Sequence, residues 1–208
     1  MSDSLQLQEL ETSLEGTLFY DDLHKKIYAT DASAYRIMPL AVAIPKSEND
    51  IINIIRFASK NKISITPRTA GTSLAGQTIG SGIIVDVSKH FNKIVSFDPK
   101  NKTITVQPGV IRDELNLYLK PHGLFFAPTT STTNRCMIGG MVGNNSSGTT
   151  SIRYGVTRDK IVEIKAVLSD GTTAVFKDLT SDEFIEKTKG DSLENKIYKT
   201  IYEELSNK

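Results

Sequence analysis

Two segments of this sequence combine glycine with short hydroxyl and amide side chains: Pro67-Arg68-Thr69-Ala70-Gly71-Thr72-Ser73-Leu74-Ala75-Gly76-Gln77 and Ile138-Gly139-Gly140-Met141-Val142-Gly143-Asn144-Asn145-Ser146-Ser147-Gly148. Glycine carries no Cβ, so the backbone N–H groups beside it can approach a ligand closely, and Ser, Thr and Asn add short donors. Such a pattern suits an anionic, oxygen-rich ligand of the phosphate kind. Inside a regular element each glycine gives up roughly 0.5–1 kcal/mol relative to alanine, so two clusters in a short chain point to use rather than spacing.

Spacing tests the common nucleotide templates. Gly71 and Gly76 have the glycine separation of a P-loop, but Gln77-Thr78 stands where Lys-Ser/Thr is required, so no lysine reaches a terminal phosphate. Gly80-Ser81-Gly82 lacks the third glycine of a dinucleotide fingerprint and precedes a strand-like run rather than a helix. Both an NTPase and a Rossmann reading fall on these grounds.

The elements that must position the clusters follow from periodicity. Ser4–Leu14 and Asp22–Thr30 read as short helices. Ala41–Ile44 is an apolar run ended by Pro45. Ser47-Glu48-Asn49-Asp50 has the Ser-x-x-Asp spacing of a helix start before Ile51, Ile52, Ile54, Ile55 and Ala58. Ile63–Thr66 is strand-like again, giving a β-α-β unit whose second strand runs into the first glycine loop. In open α/β sheets ligands sit beyond the carboxyl ends of strands. Further on, Ile83–Val87 predicts a buried strand, Ile94–Asp98 with Thr103–Gln107 a hairpin, and Arg112–Lys120 a helix stopped by Pro121 and Gly123. Ile161–Leu168 and Thr172–Phe176 predict a hairpin turned at Asp170-Gly171, and Thr180–Lys208 predicts a helical tail.

Composition narrows the class. With 208 residues, 38% of them hydrophobic and 24% charged, and a net charge of +1, this is an ordinary globular chain with no basic stripe for nucleic acid. No apolar run approaches the roughly 20 residues of a membrane span. Met1–Leu10 is polar and lacks a signal peptide's apolar core, and the single Cys136 has no internal disulfide partner, so a reducing, cytoplasmic setting is expected. Cys136 reads as a packed small residue. His24, His90 and His122 are isolated, with no carboxylate or nucleophile at useful spacing. Two positions stay open between roles. Arg68 is either a surface arginine or a charge partner for an anion, and Asp159 either caps a turn or serves the site. Gly139-Gly140, taken alone, has a tight helix approach as its lesser alternative.

Taken in order, the first cluster, Gln107-Pro108-Gly109-Val110, Phe126-Ala127-Pro128 with Ser131, Ile138-Gly139-Gly140-Met141 with Asn145 and Gly148, Arg153-Tyr154-Gly155 with Asp159, and Leu168-Ser169-Asp170-Gly171 resemble one known pattern. It is the FAD-binding domain of the vanillyl-alcohol-oxidase/PCMH flavoprotein superfamily. Within it the likeness is greatest to D-lactate, glycolate and D-2-hydroxyglutarate dehydrogenases, and it runs from about Asp31 to Phe176.

The resemblance implies an α+β fold of two subdomains, residues 1–115 and 116–208, with FAD between them. Arg68, Thr69, Ala70, Gly71, Thr72 and Ser73 would wrap the pyrophosphate and Gln77 would finish that loop. Pro128, Thr129 and Ser131 would line the approach to the isoalloxazine. Ile138, Gly139 and Gly140 would pass close to the ring and ribityl chain, and Asn144, Ser146 and Gly148 would contact ribityl and phosphate oxygens. Ile161 and Ile164 would edge the adenine end. Two departures stand out. Thr69 occupies a usual glycine, which would be strained if that position needs a positive φ. Thr72 occupies the histidine that carries covalent FAD in some members, so a non-covalent flavin is implied.

In the hydroxy-acid enzymes the carboxylate clamp, the base and any metal-binding histidines belong largely to a separate substrate domain, so no catalytic residue and no metal site are expected in this sequence, which looks like an excised FAD domain. Leu119-Lys120-Pro121, Phe125–Pro128 and Thr133-Asn134-Arg135 further suggest the long members with an iron–sulfur region. The implied function is oxidation of a small D-2-hydroxy acid, D-lactate-like, with electrons passing to an iron–sulfur module, quinone or cytochrome, and with membrane association only through such an acceptor. A non-catalytic flavin module, or a sugar or alcohol oxidase of the same superfamily, is the alternative.

Overall fold

The computed structural model describes residues 2–206, with side chains from residue 6 onward; Met1, Asn207 and Lys208, the ends of the polar N-terminus and of the expected tail helix, lie outside the described residues. The chain divides into two compact units, Met1–Lys160 and Ile161–Lys208.

The first unit runs α1 (Ser2–Thr12), β1 (Thr17–Phe19), α2 (Asp22–Tyr28), β2 (Ala41–Ile44), α3 (Glu48–Asn61), β3 (Ile65–Arg68), β4 (Ile83–Asp86), β5 (Ile94–Asp98), β6 (Thr103–Val106), α4 (Arg112–Leu119), α5 (Ile138–Gly143) and α6 (Ser151–Tyr154), with 3₁₀ turns at Lys120–His122 and Thr157–Lys160. Four strands form one sheet in the order β1-β2-β4-β3. β4 is parallel to both its neighbours, with Val42 opposite Ile84 and Arg68 opposite Asp86, while β1 is antiparallel to β2. The predicted β-α-β unit is therefore β2-α3-β3 with a later strand, β4, inserted between its two strands. β2 and β4 are buried along nearly their whole length, as strands covered on both faces must be.

Ser47 starts α3 as its spacing predicts, its hydroxyl accepting from Asp50 N at 3.2 Å. Asp50 does something else with its own side chain. Fully buried, its carboxylate accepts from Glu15 N (2.8 Å), Gly16 N (2.9 Å) and Lys46 N (2.8 Å), tying the entry to β1 onto the start of α3. Ile54 joins a core of Leu18, Ala41, Ala43, Ile83 and Val85, and Ala58, one turn on, is buried on the same helix face.

A second hydrophobic cluster begins after this sheet. Val110, Leu115, Leu119, Cys136, Ile138 and Met141 form it, with Ile94, Phe97, Ile104 and Val106 of the β5–β6 hairpin packed against them. β5 and β6 pair antiparallel with a register shift between Ile94 and Ser96. α4 ends where its stop signals lie, Gly123 taking a φ of 67°.

In the second unit β7 (Glu163–Val167) and β8 (Thr173–Lys177) pair antiparallel, followed by α7 (Ser181–Lys187) and α8 (Leu193–Ser206). The hairpin turn is wider than the two-residue form expected of Asp-Gly. Leu168 N donates to Thr172 O and Gly171 N to Leu168 O, with Gly171 at φ 80°, the geometry of a three-residue loop closed by a left-handed glycine. The predicted helical tail is broken at Gly190, φ 109°. Thr180 and Glu183 form a capping box on α7, each satisfying a backbone N–H of the other.

Candidate functional site

β3 delivers the first glycine cluster at its carboxyl end. Arg68 is the last strand residue, and its Nη1 donates to the Thr30 and Thr78 carbonyls at 2.9 and 3.3 Å, while its guanidinium lies 5.1 Å from the Tyr28 ring centroid. Tyr28 in turn donates to Asp86 Oδ2 at 2.6 Å. Burial, then the bond to Asp86, raises the Tyr28 phenol above its ordinary range. Arg68 thus braces both ends of the loop. Gly71 lies against it at φ 66°, where a Cβ would stand 2.5 Å from Nη2. Thr69 is absent from the residues at positive φ, so threonine replaces the usual glycine here without backbone strain.

Past Gly71 the loop closes on Ser73, whose Oγ accepts from Ala75 N and Gln77 N at 3.2 and 3.3 Å and donates to Gln77 Oε1 at 2.8 Å. Asp31 holds the far end through Thr78 Oγ1 at 3.2 Å. Burial pushes the Asp31 carboxyl up, but the hydrogen bonds from Ser33 and Thr78 outweigh it and hold the group below its ordinary range.

The second cluster is the short helix α5 and the turn after it. Gly139 packs on Pro108, its N–H donating to Pro108 O at 2.8 Å, and a Cβ at Gly140 would stand 2.8 Å from Thr69 Oγ1. Beyond α5, Asn144 Nδ2 donates to Ser146 Oγ at 3.2 Å, and the buried Thr157 donates to Ser146 O at 2.6 Å. Gly148 sits where any Cβ would collide with the Thr129 carbonyl oxygen.

The two clusters meet. Besides the Thr69–Gly140 contact, Gln77 Nε2 donates to Asn144 Oδ1 at 3.1 Å. Together they line a cleft of about 1070 Å³, at the upper edge of what small-molecule sites occupy. Among the described residues no carboxylate lines it, although the chain carries 24 acidic residues, whereas Arg68 and Arg135 do. The lining is otherwise hydroxyls, amides, glycines and small apolar groups. Charge and donor set therefore fit an extended anion.

Of the expected site residues, Arg68, Thr69, Gly71, Thr72, Ser73, Gln77, Thr129, Ser131, Gly139, Gly140, Asn144, Ser146 and Gly148 share this cleft. Ala70, Pro128 and Ile138 do not line it; Pro128 and Ile138 are buried behind its wall. Ile161 and Ile164 belong to the second unit. Sequence reasoning passed over Arg135, which lines the cleft, and over Arg112 and Asn116, whose side chains hold the 126–129 backbone behind it. Nothing in periodicity marks a helix-face arginine as a brace for a distant loop.

Other expectations resolve locally. Asp159 accepts from Val156 N at 2.8 Å and caps its turn. His24 is not isolated: its Nδ1 lies 2.7 Å from Asp21 Oδ2 and its ring stacks on Phe19 at 3.7 Å, because Asp21 also caps α2 and so stands one turn before it. Cys136 is buried, taking a hydrogen bond from Thr130 Oγ1 and touching the Met141 sulfur. Among the described residues no helix is long and apolar enough to cross a membrane.

Comparison with known proteins gives this geometry a context. The family model described as "FAD binding domain" matches residues 39–177. The D-2-hydroxyglutarate dehydrogenase of Escherichia coli (strain K12) is 39% identical over 204 residues, 95% of this chain and 20% of that protein. A mitochondrial D-lactate dehydrogenase [cytochrome] 1 of Saccharomyces cerevisiae (strain ATCC 204508 / S288c) is 36% identical over 64% of this chain and 23% of its own length. The chain thus spans about a fifth of the length of these curated relatives. Among solved structures, p-cresol methylhydroxylase with substrate bound aligns over 84% of this chain and 35% of that one, with a TM-score of 0.71 at 17% identity. That likeness shows the fold, α+β of the PCMH type.

Proposed function

Because the chain belongs to the FAD binding domain family, and its cofactor is FAD, we propose that it is the flavin-holding part of an FAD-linked dehydrogenase of D-2-hydroxy acids. The observation that carries this reading is the cleft built by both glycine clusters, with no carboxylate among its described lining residues, in a sequence 39% identical across 95% of its length to a D-2-hydroxyglutarate dehydrogenase. The D-lactate likeness is of the same kind over 64% of the chain.

The residues present fit the cofactor. The pyrophosphate needs donors and no nearby carboxylate, and the loop from Arg68 to Ser73 offers backbone N–H groups around the left-handed Gly71. Gly143 lines the cleft with no heavy atom within 4 Å of where a Cβ would stand, leaving room for a ligand. In this reading Thr69, Gly71, Thr72, Ser73 and Gln77 enclose the pyrophosphate, with Ala70 contributing backbone and Arg68 its charge. Thr129 and Ser131 flank the isoalloxazine, backed by Pro128. Gly139, Gly140, Asn144, Ser146 and Gly148 follow the ribityl chain, with Ile138 anchoring their helix in the core.

When bound, FAD supplies the acceptor for the hydride leaving the hydroxyl-bearing carbon of the substrate. This chain's residues hold and orient it and exclude water from its face; the substrate clamp, the base and the electron acceptor, whether iron–sulfur module, quinone or cytochrome, lie outside the residues placed in this cleft. Thr72 lines the cleft where covalently flavinylated members carry histidine, so the flavin is held without a bond. The division into subdomains 1–115 and 116–208 is proposed on the family resemblance alone, since the second hydrophobic cluster takes Val110 and Leu115 together with Leu119 and Met141 across that boundary. The lone, buried Cys136 suits a reducing, cytoplasmic setting.

The test is anaerobic reduction of the flavin in the full-length gene product. D-2-hydroxyglutarate or D-lactate should bleach it within the dead time of hand mixing. Bleaching by sugars or primary alcohols, with both hydroxy acids inert, would overturn the substrate class.

A further inference from the structure

The segment Leu124–Thr130 has no helix or strand of its own, yet it forms the wall that leads into the cleft at Thr129. Where such a segment is buried, as at Ala127 and Pro128, its backbone groups must find partners. Here side chains of α4 supply them. Asn116 Oδ1 accepts from Phe126 N at 2.7 Å and its Nδ2 donates back to Phe126 O at 3.3 Å. Arg112, one turn earlier on the same face, donates from Nε to Pro128 O and from Nη2 to both Phe126 O and Thr129 Oγ1, each at 3.2 Å. Its Nη1 is held by Asp113 Oδ1 at 2.8 Å. The Arg112 side chain is only 13% exposed. Thr150 completes the knot from the other side, its Oγ1 bonding to Ala127 O at 3.0 Å and Thr129 Oγ1 at 3.1 Å.

Three acceptors on one short stretch are met by one planar group. A guanidinium presents its donors in a fixed fork, whereas an ammonium is a point charge that cannot reach spaced acceptors in the same geometry. Gly148 presses on the Thr129 carbonyl from the cleft side, so a shift of this stretch alters the spacing of both cleft walls. Of the four side-chain hydrogen bonds of Arg112, three fall on Phe126, Pro128 and Thr129 and the fourth on Asp113.

We propose that Arg112 is a positioning residue for the bound cofactor: its guanidinium fixes the Phe126–Thr129 backbone so that Thr129 and the residues after it present a rigid wall to FAD. This rests on the cleft being the FAD site.

The experiment compares the wild-type chain with Arg112→Lys, each titrated with FAD and then examined at saturation by visible circular dichroism of the bound flavin. The dichroism reports the wall around the ring in the folded, loaded molecules and is blind to a loss of global stability. Arg112→Lys should weaken FAD binding about tenfold and change the dichroic bands of the bound flavin, since an ammonium cannot hold the Phe126 and Pro128 carbonyls and Thr129 in one geometry and the wall is no longer preset for the ligand. Unchanged bands at saturation, whatever the affinity, would overturn the proposal. Should Arg112→Lys fail to fold, Thr150→Val, which removes bonds to Ala127 O and Thr129 Oγ1, is read by the same bands with the same two outcomes. A wild-type chain that is folded but takes up no FAD would instead defeat the flavin reading itself, and the role of Arg112 with it.

Discussion

Gln77 Nε2 donates to Asn144 Oδ1 at 3.1 Å, joining two exposed side chains 67 positions apart in sequence. Each belongs to a different glycine cluster, and each is held by a hydroxyl of its own cluster, Ser73 for Gln77 and Ser146 for Asn144. The relay is a strap between the two walls of the cleft. Because it is exposed, it contributes little to the stability of the fold and most to the spacing of the walls.

Removing either end should therefore act on binding. Gln77→Leu and Asn144→Leu are each expected to weaken FAD binding about three- to tenfold, in keeping with about 0.5–1.5 kcal/mol per net hydrogen bond. In a double-mutant cycle read by flavin fluorescence titration, the double variant should lose little more than the worse single one. Strict additivity would show that the two amides act separately.

Gly148 and Gly143 make opposite predictions. Gly148→Ala drives a Cβ into the Thr129 carbonyl oxygen, backbone that cannot swing aside, and should cost more than about 2 kcal/mol in urea unfolding. Gly143→Ala adds its methyl in open space within a helix, so the FAD-free chain should gain up to about 1 kcal/mol. A Gly148→Ala variant as stable as wild type would contradict the close approach of the 148 turn to Thr129.

Asp50 is a structural carboxylate. It is fully buried and accepts from three backbone N–H groups, at Glu15, Gly16 and Lys46. Asp50→Ala should destabilise by about 3 kcal/mol or more, because charged hydrogen bonds are lost and the donors are left unpaired. Asp50→Asn, which keeps one acceptor oxygen, should cost less. Chemical denaturation of both variants checks the order.

Much of this was legible beforehand, and the reasons differ by residue. β2, β4 and the start of α3 were readable because Ala41–Ile44, Ile83–Asp86 and Ser47-x-x-Asp50 each carry a local signal. That the clusters form one cradle was suggested by their shared glycine and hydroxyl composition and strengthened by the family pattern. Three-residue β1 is too short for alternation to show, and the insertion of β4 between β2 and β3 is a long-range choice. In the sequence Arg68 stays open between a surface arginine and an anion partner. The structure shows its Nη1 committed to the Thr30 and Thr78 carbonyls, partners fixed only once α2 and the loop come together.

Stability should fall on both sides of neutrality. A hydrogen bond from Arg112 holds the Asp113 carboxyl below the ordinary 3.8, and one from the Asn101 backbone does the same for Asp98. The folded values are depressed, so the unfolded chain binds protons first as pH falls. Their contribution is complete above about pH 5 and is lost as pH drops below 3.8 toward the folded values. Tyr28 works the other way. Its folded value is raised above 10.0, so its contribution is complete well below that pH and is lost as pH rises above 10.0, where only the unfolded phenol ionises. Urea midpoints measured from acid to alkali should show both declines. In Tyr28→Phe the alkaline one should shrink.

The central claim is that the carboxylate-free cleft between the two glycine clusters holds FAD without a covalent bond. Incubation of the purified chain with FAD, gel filtration, and acid precipitation of the protein peak test it in one sequence. The account predicts flavin absorbance co-eluting with the chain at one FAD per molecule, and intact FAD released into the acid supernatant. A folded chain that elutes colourless, or flavin that stays with the precipitate, would contradict it.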